Sequence, residues 1–329
     1  MFNTLKAAGL VSVVALGAAG AANAQTLRFA HAAPESDLQQ DLAEFFAEEV
    51  ESRTDGDVSV QIFPNGQLGD DSGMIDGARS GIVDIVMVGL NNFSGLMPES
   101  AAFTLPFMFP NREAAYAVLD GEVGQGVLDQ FEDFELKGLG YPENGFRNMT
   151  NDRGPISTPE DVNGLRMRVN SSIALNDMFQ MLGAAPQQIP VAELYTALET
   201  GVVDAQDHPI GVTLSFAFHE VQDYLSLTQH AYAPLVVAMN LETFEDLDAE
   251  NQQIVMDVMA EAVDMQRQLS IDSEEEMIST LEEEGMSVNR DVDTAAFQEA
   301  IQPVWDNFIA TNGDALVTDI QNAIPEQGS

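Results

Sequence analysis

The chain has 329 residues, with 54 Asp or Glu against 12 Lys or Arg, a formal net charge of −42. A surface this negative repels nucleic-acid phosphates and anionic lipid head groups, so nucleic acid is excluded as a partner. Cysteine is absent, which rules out disulfides, thiolate zinc sites and cysteine nucleophiles.

The first 24 residues predict a cleaved signal peptide. Lys6 supplies the positive start, Ala7 to Ala22 is apolar and small, and Ala22-Asn23-Ala24 is a small-x-small cleavage site ahead of Gln25. The run is short for a span of about 20 residues and is built from Ala and Gly, so no membrane insertion is expected after cleavage. The roughly 300 residues that remain predict two domains or one large α/β unit.

Strands and helices then alternate. Thr26 to Ala30 reads as a strand, and Pro34 to Arg53 as a helix with Leu38, Leu42, Phe45, Phe46 and Val50 at helical spacing. Thr54-Asp55-Gly56 closes it. Val58, Val60 and Ile62 alternate as a strand, Met74 to Arg79 is helical, and Ile82 to Val88 suits a buried parallel strand. This β-α-β-α-β order predicts an open parallel sheet with helices on both faces. A second unit begins near Leu136, with strands at Gly138 to Tyr141, Phe146 to Thr150 and Leu165 to Val169. Helices follow at Ile173 to Leu182 and Val191 to Glu199, then a short strand begins at Val202, and Val236 to Met239 returns to the first unit. From Asp248 to about Glu284 the pattern is helical without a break, roughly 55 Å at about 1.5 Å per residue, long enough to brace two lobes. The acidic runs Glu274-Glu275-Glu276 and Glu282-Glu283-Glu284 read as solvated helix faces, and the dispersed acidity suits a salty medium.

No G-x-S-x-G elbow, P-loop, G-x-G-x-x-G or H-E-x-x-H is present. His31, His208, His219 and His230 form no pair at metal-ligand spacing, and Asp70, Asp71 and Asp76 lack the EF-hand order, so neither metal nor cofactor is expected. No catalytic constellation can be named, and the chain is not read as an enzyme. Because cations are scarce, their positions carry information. Arg147 lies in Asn144-Gly145-Phe146-Arg147-Asn148, while strand alternation in Gly164-Leu165-Arg166-Met167-Arg168-Val169 places Arg166 and Arg168 on one face. Such an arginine clamps a carboxylate bidentately if it faces a cleft, or is an exposed residue paired with one of the many acids.

The order of these segments resembles the dicarboxylate-binding (DctP-type) solute-binding proteins of tripartite ATP-independent periplasmic (TRAP) transporters. The resemblance is carried by Phe63-Pro64-Asn65-Gly66-Gln67-Leu68-Gly69-Asp70-Asp71, Ser80-Gly81-Ile82-Val83-Asp84-Ile85 and Leu105-Pro106-Phe107-Met108-Phe109. It continues through Gly164 to Val169, Leu182-Gly183-Ala184 and Glu193 to Asp204, covering nearly the whole mature chain. It implies an α/β periplasmic binding protein fold of two lobes, each a mostly parallel sheet with flanking helices, with the long helix spanning both. Lobe 1 would comprise residues 25–145 and about 234–270, and lobe 2 residues 146–233 and about 271–329. It also implies a periplasmic protein that captures a small carboxylate and delivers it to TRAP membrane permease subunits; a monomer is the simplest expectation, though the sequence does not determine self-association.

In that family the arginine matching Arg168 makes the main salt bridge to the cargo, and the one matching Arg147 adds a contact. The family commonly reads Asp-Gly-Gln-Glu-Asn-Pro where this chain has Asp204-Ala205-Gln206-Asp207-His208-Pro209, so His208 replaces an asparagine that often binds ligand. Gly89 stands where sialic-acid binders carry a glutamate, and the aromatic expected near Val191 is missing; both argue against sialic acid. C4-dicarboxylates, sugar acids, hydroxy or keto acids and zwitterions such as ectoine stay open. Further site candidates are His31 after the first strand, Asn91, Asn92 and Phe93 beyond the third, Ser171, and His230 and Tyr232 near the crossover. Trp305 and the methionines read as packing residues. A sensory binding protein and a periplasmic enzyme are the rival classes.

Overall fold

The computed structural model describes residues 25–325; the signal peptide expected at residues 1–24 lies outside the described residues. The chain opens with β1 (Gln25–His31), α1 (Leu38–Arg53), β2 (Val58–Phe63), α2 (Asp71–Arg79) and β3 (Ile85–Gly89). α1 starts where the extended Asp37 accepts a hydrogen bond from the Gln39 amide at 3.0 Å, and stops at Thr54, with Gly56 at φ +84° turning the chain away. Its buried stripe of Leu42, Ala43, Phe46 and Val50 packs on β1, where Phe46 meets Phe29 edge-on with ring centroids 5.8 Å apart. β1 lies between β2 and β3, parallel to both, as the sequence pattern predicts. The third strand starts later than expected, at Ile85. Ile82 sits on a turn and is 66 % exposed, while the Asp84 carboxylate is held at 2.7 Å by the Arg28 amide and Nε.

Next come α3 (Arg112–Leu119), α4 (Glu122–Gln130), β4 (Leu136–Gly140), β5 (Glu143–Asn151), β6 (Arg168–Val169), α5 (Ile173–Met181) and β7 (Gln187–Gln188). They are followed by α6 (Val191–Glu199), β8 (Ala205–His208), α7 (Ile210–Ser215) and the 17-residue β9 (Tyr224–Asn240). β4 and β5 run in one direction along β9, separated only by Tyr141 and Pro142, and both pair with it antiparallel. β3 also pairs with the end of β9 antiparallel, Gly89 opposite Leu235. The main sheet is therefore mixed, ordered β2-β1-β3-β9-β5-β8, and the expected mostly parallel arrangement holds around β1 but not around β5 and β8. Antiparallel neighbours need no crossover helix, so the sequence order of strands and helices does not reveal them. The apolar run Val236 to Met239 is the end of a much longer strand whose first half is polar and kinked, with Gln229 at φ +43°.

The chain ends with α8 (Leu241–Glu245), α9 (Ala249–Glu283), β10 (Ser287–Asn289), α10 (Thr294–Ala300), α11 (Gln302–Asn312) and α12 (Ala315–Ala323). The 35-residue α9 changes character along its length. Val255, Val258, Met259 and Ala262 pack against α1 and β1 residues; Gln266, Arg267 and Ser270 bond to the Tyr141–Glu143 segment; Ile278 and Leu281 pack with Ile210 and Leu225. One helix thus touches both ends of the β5–β9 ribbon. Trp305 is a packing residue whose Nε1 donates to the Pro106 carbonyl at 2.9 Å. Among the described residues no helix is long and apolar enough to cross a membrane.

Candidate functional site

The carboxyl ends of β1, β3, β6 and β8 converge on one cavity, where open α/β sheets bind small molecules. It measures about 70 Å³ and is lined by Asn91, Asn92, Arg147, Arg168, Asn170 and His208 among others. A contiguous recess of about 130 Å³ shares Asp71, Arg168, Asn92 and Asn170 and adds Ser171 and Gln188. A larger groove of about 350 Å³ lies between α7, α9 and Ser36–Leu38, but its Arg112 is already paired with both Glu143 and Glu274 and outnumbered by them. The smaller, cationic cavity has the better chemistry for an anion.

Arg168 is 3 % exposed and, among the described residues, has no carboxylate within 4.0 Å. Every other Arg and Lys among the described residues has one. Its Nε donates to the Ile189 carbonyl at 2.8 Å and its Nη1 to His208 Nε2 at 3.1 Å, and Nη2 has no protein partner among the described residues. Burial and the nearby charge of Arg147 lower its pKa to about 10, so it remains a cation at neutral pH. Arg166, expected on the same strand face, is instead exposed and paired with Asp204 at 3.1 Å. Regular alternation does not reach it, because β6 begins only at Arg168.

Arg147 on β5 donates through Nε to Asp207 Oδ2 at 2.6 Å and through Nη2 to the Asp207 carboxylate and carbonyl, leaving Nη1 without a protein partner among the described residues. His230 Nε2 lies 3.1 Å from the same Asp207 oxygen, and its Nδ1 is 2.8 Å from Thr228 Oγ1. Burial pushes the Asp207 carboxyl up, but the Arg147 charge and the bonds from His230 and Arg147 prevail and hold it well below the usual carboxylate range. His208 has both ring nitrogens engaged, Nε2 by Arg168 and Nδ1 by Gln206 Oε1; burial and then the two arginine charges keep it neutral.

On the opposite wall, Ser171 Oγ donates to Asn92 Oδ1 at 2.6 Å, Asn91 Nδ2 to the same oxygen at 3.2 Å, and Asn92 Nδ2 to Asp71 Oδ2 at 2.9 Å. Burial raises the Asp71 pKa against the pull of the Arg168 charge. Of the residues singled out in the sequence, Arg168, Arg147, His208, Asn91, Asn92 and Ser171 thus come together around the two recesses. Phe93, His31 and Tyr232 do not line them. Phe93 is fully buried against Phe131, with ring centroids 4.8 Å apart. His31, also fully buried, bonds Gln40 at 3.0 Å, and Tyr232 sits in an aromatic cluster with its hydroxyl on Glu143 at 3.2 Å. Asp71 and Asn170 were missed. Asp71 closes the Phe63 to Asp71 segment that carries the family resemblance and is rejected as a calcium ligand, and Asn170 directly follows the arginine strand. Among the described residues no group of three acidic or histidine side chains could hold a metal ion.

Residues 29–312 match the bacterial extracellular solute-binding protein family 7, DctP. The chain is 41 % identical over 287 residues to the 2,3-diketo-L-gulonate-binding periplasmic protein YiaO of Escherichia coli, covering 87 % of this chain and 88 % of that protein. Its fold superposes with a TM-score of 0.89 on a TRAP periplasmic solute-binding protein from Polaromonas bound to D-erythronate, at 32 % identity over 92 % of this chain and all of that one. A sugar acid binding protein from Advenella mimigardefordensis in complex with galactonate gives a TM-score of 0.88 at 33 % identity, covering 91 % and 97 % of the two chains. The anion-ready cavity at the strand ends, the long bracing helix and these likenesses agree: the chain belongs to family 7 of the bacterial extracellular solute-binding proteins, the TRAP transporter binding proteins.

Proposed function

We propose that the protein captures a small organic acid in the periplasm, a sugar acid or C4-dicarboxylate, and delivers it to TRAP permease subunits. The observation that carries this reading is Arg168, a buried cation without a carboxylate partner in a chain with a large excess of acids. An unpaired buried charge is costly, and a cargo carboxylate would complete it through Nη2 while Arg147 Nη1 supplies a second donor. Asp71, Asn91, Asn92, Asn170 and Ser171 line the remaining space with groups suited to hydroxyls, which favours a polyhydroxy acid. The relatives that bind diketogulonate, erythronate and galactonate support the same class.

The chain divides into two lobes, residues 25–145 with about 234–270 and residues 146–233 with about 271–329. The ribbon of β5 and β9 and the middle of α9 cross between them. Closure is driven by contacts the ligand makes only when both walls meet, with Asn92 of one wall already on Ser171 of the other. The test is mass spectrometry of ligand released from the purified protein, then thermal shift with that compound on wild type and Arg168→Ala. Stabilisation of wild type alone identifies the cargo and the clamp. Equal shifts in both proteins remove Arg168 from the clamp, and turnover of the compound ends the binding-protein reading.

A further inference from the structure

His208 closes β8 at the rim of the cavity, and its two nitrogens are not free to meet a ligand. The reason lies in a run of buried side chains whose hydrogen bonds have only one consistent direction. Gln222 Nε2 donates to the Val221 carbonyl at 3.0 Å, which turns its Oε1 toward Thr150, and the Thr150 hydroxyl donates to that oxygen at 3.0 Å. The Thr150 oxygen is thereby left to accept from Gln206 Nε2 at 2.8 Å, so Gln206 presents Oε1 to His208 Nδ1. An amide oxygen can only accept, so Nδ1 carries the ring proton; in the neutral ring Nε2 is then bare. A bare Nε2 is what the Arg168 Nη1–H at 3.1 Å requires. Thr150, Gln206 and Gln222 are each at most 2 % exposed, so water does not compete for these bonds.

We propose that His208 is a positioning residue for the carboxylate clamp: held in its Nδ1–H form by the chain through Gln206, Thr150 and Gln222, it accepts from Arg168 and aims the remaining guanidinium nitrogen at the cargo. This rests on the organic-acid reading above for its purpose, though not for its geometry. The Ile189 carbonyl fixes Nε and His208 fixes Nη1, so the planar fork has one orientation left and Nη2 points to the open space. The charged groups facing the ring are Arg168 on β6, Arg147 on β5 and Asp207 on β8, and Phe218 packs beneath it with centroids 5.5 Å apart. Two cations against one anion oppose a third positive charge there, so the ring works as a neutral acceptor.

The two-bond proton–nitrogen spectrum of the histidine side chains in ligand-free, nitrogen-15-labelled protein reads the tautomer directly, with His208 assigned by the signals that vanish in His208→Gln. The expected result is the Nδ1–H form at pH 7. An Nε2–H or doubly protonated ring overturns the proposal without any variant having to fold. Thr150→Val frees the Gln206 amide to turn over; it is expected to shift His208 toward Nε2–H and to weaken galactonate binding about tenfold by calorimetry. His208→Gln places an amide oxygen where Nε2 was and is expected to stay within about threefold of wild type, whereas His208→Ala loses about tenfold or more. Unchanged tautomer and affinity in Thr150→Val overturn the chain. If wild type takes up none of galactonate, D-erythronate and succinate while the Nδ1–H form is found, the cargo assignment falls and the relay stands.

Discussion

Two buried charges, Glu143 and Arg168, sit at opposite ends of the same logic. Glu143, at the start of β5, is saturated: it takes Arg112 Nε at 2.7 Å, Ser270 Oγ at 2.8 Å and the hydroxyls of Tyr232 and Tyr116. Its backbone amide and carbonyl are both held by Gln266 of α9. Arg168 lines a cavity and, among the described residues, has two neutral partners and no carboxylate. A charge whose partners are complete stabilises the fold where it stands; one whose counter-charge is missing keeps a place for a ligand.

Glu143→Ala should give the largest change in stability. It leaves Arg112 with Glu274 alone and strips the two tyrosines and Ser270 of their acceptor, costing about 3–5 kcal/mol. Chemical denaturation checks this, and a loss below about 1 kcal/mol would make the cluster incidental. Arg168→Ala should do the reverse. Organic-acid affinity falls about a hundredfold or more while the thermal midpoint of the free protein stays within a few degrees, because no ion pair is broken. A large loss of stability with affinity retained would exchange the roles of the two residues.

The pH response separates the sites further. His208 and His230 are held neutral in the fold, their pKa values lowered first by burial, whereas in the unfolded chain they protonate near the usual value of about 6.5. Their folded pKa values lie below the unfolded ones, so the stability they contribute is fully present above pH ~6.5 and is lost as pH falls, at about 1.4 kcal/mol per unit for each group. Asp207, with its depressed pKa, adds a loss of the same sign only below about pH 4. Asp71 and Asp37, raised by burial, act in the opposite direction. Melting of wild type and His208→Gln from pH 8 to pH 5 isolates the His208 share: the wild type should lose more, and parallel curves would mean the ring takes up its proton in the fold as readily as in the unfolded chain. The smallest effect is expected at Ser171. Ser171→Ala removes its bond to Asn92 and should weaken cargo binding about fivefold, with stability little changed; an unaltered affinity would mean that this contact does not contribute to closure.

Much of this was legible before the fold was known. Apolar spacing located α6 to the residue and gave α9 within one residue at either end, and it placed the end of α1 at Arg53 but its start four residues early, at Pro34 instead of Leu38, because periodicity marks the body of a helix better than its cap. The strands around β9 were read less well: in the first half of that strand only Leu225 to Thr228 alternates, and its register against β5 breaks between Arg147 and Met149. At the site, the segment holding Arg168 was recognisable from its neighbours in sequence. Its separation from Arg166 was not, since two residues alike in type and spacing were divided by where the chain happened to enter the sheet.

The sequence by itself determined the α/β order, the long helix, the family and the scarcity of cations that makes each arginine informative. Those properties are written in periodicity, composition and motif order, which do not depend on what lies across the fold. Only the tertiary structure decided which arginine lacks a counter-charge, that Asp71 and Asn170 join the site, and that both nitrogens of His208 are already taken. Those depend largely on partners distant in sequence, such as Arg168 with His208 and Gln206 with Thr150. A hydrogen bond is set by distance and direction in space, and no local reading of the chain contains either.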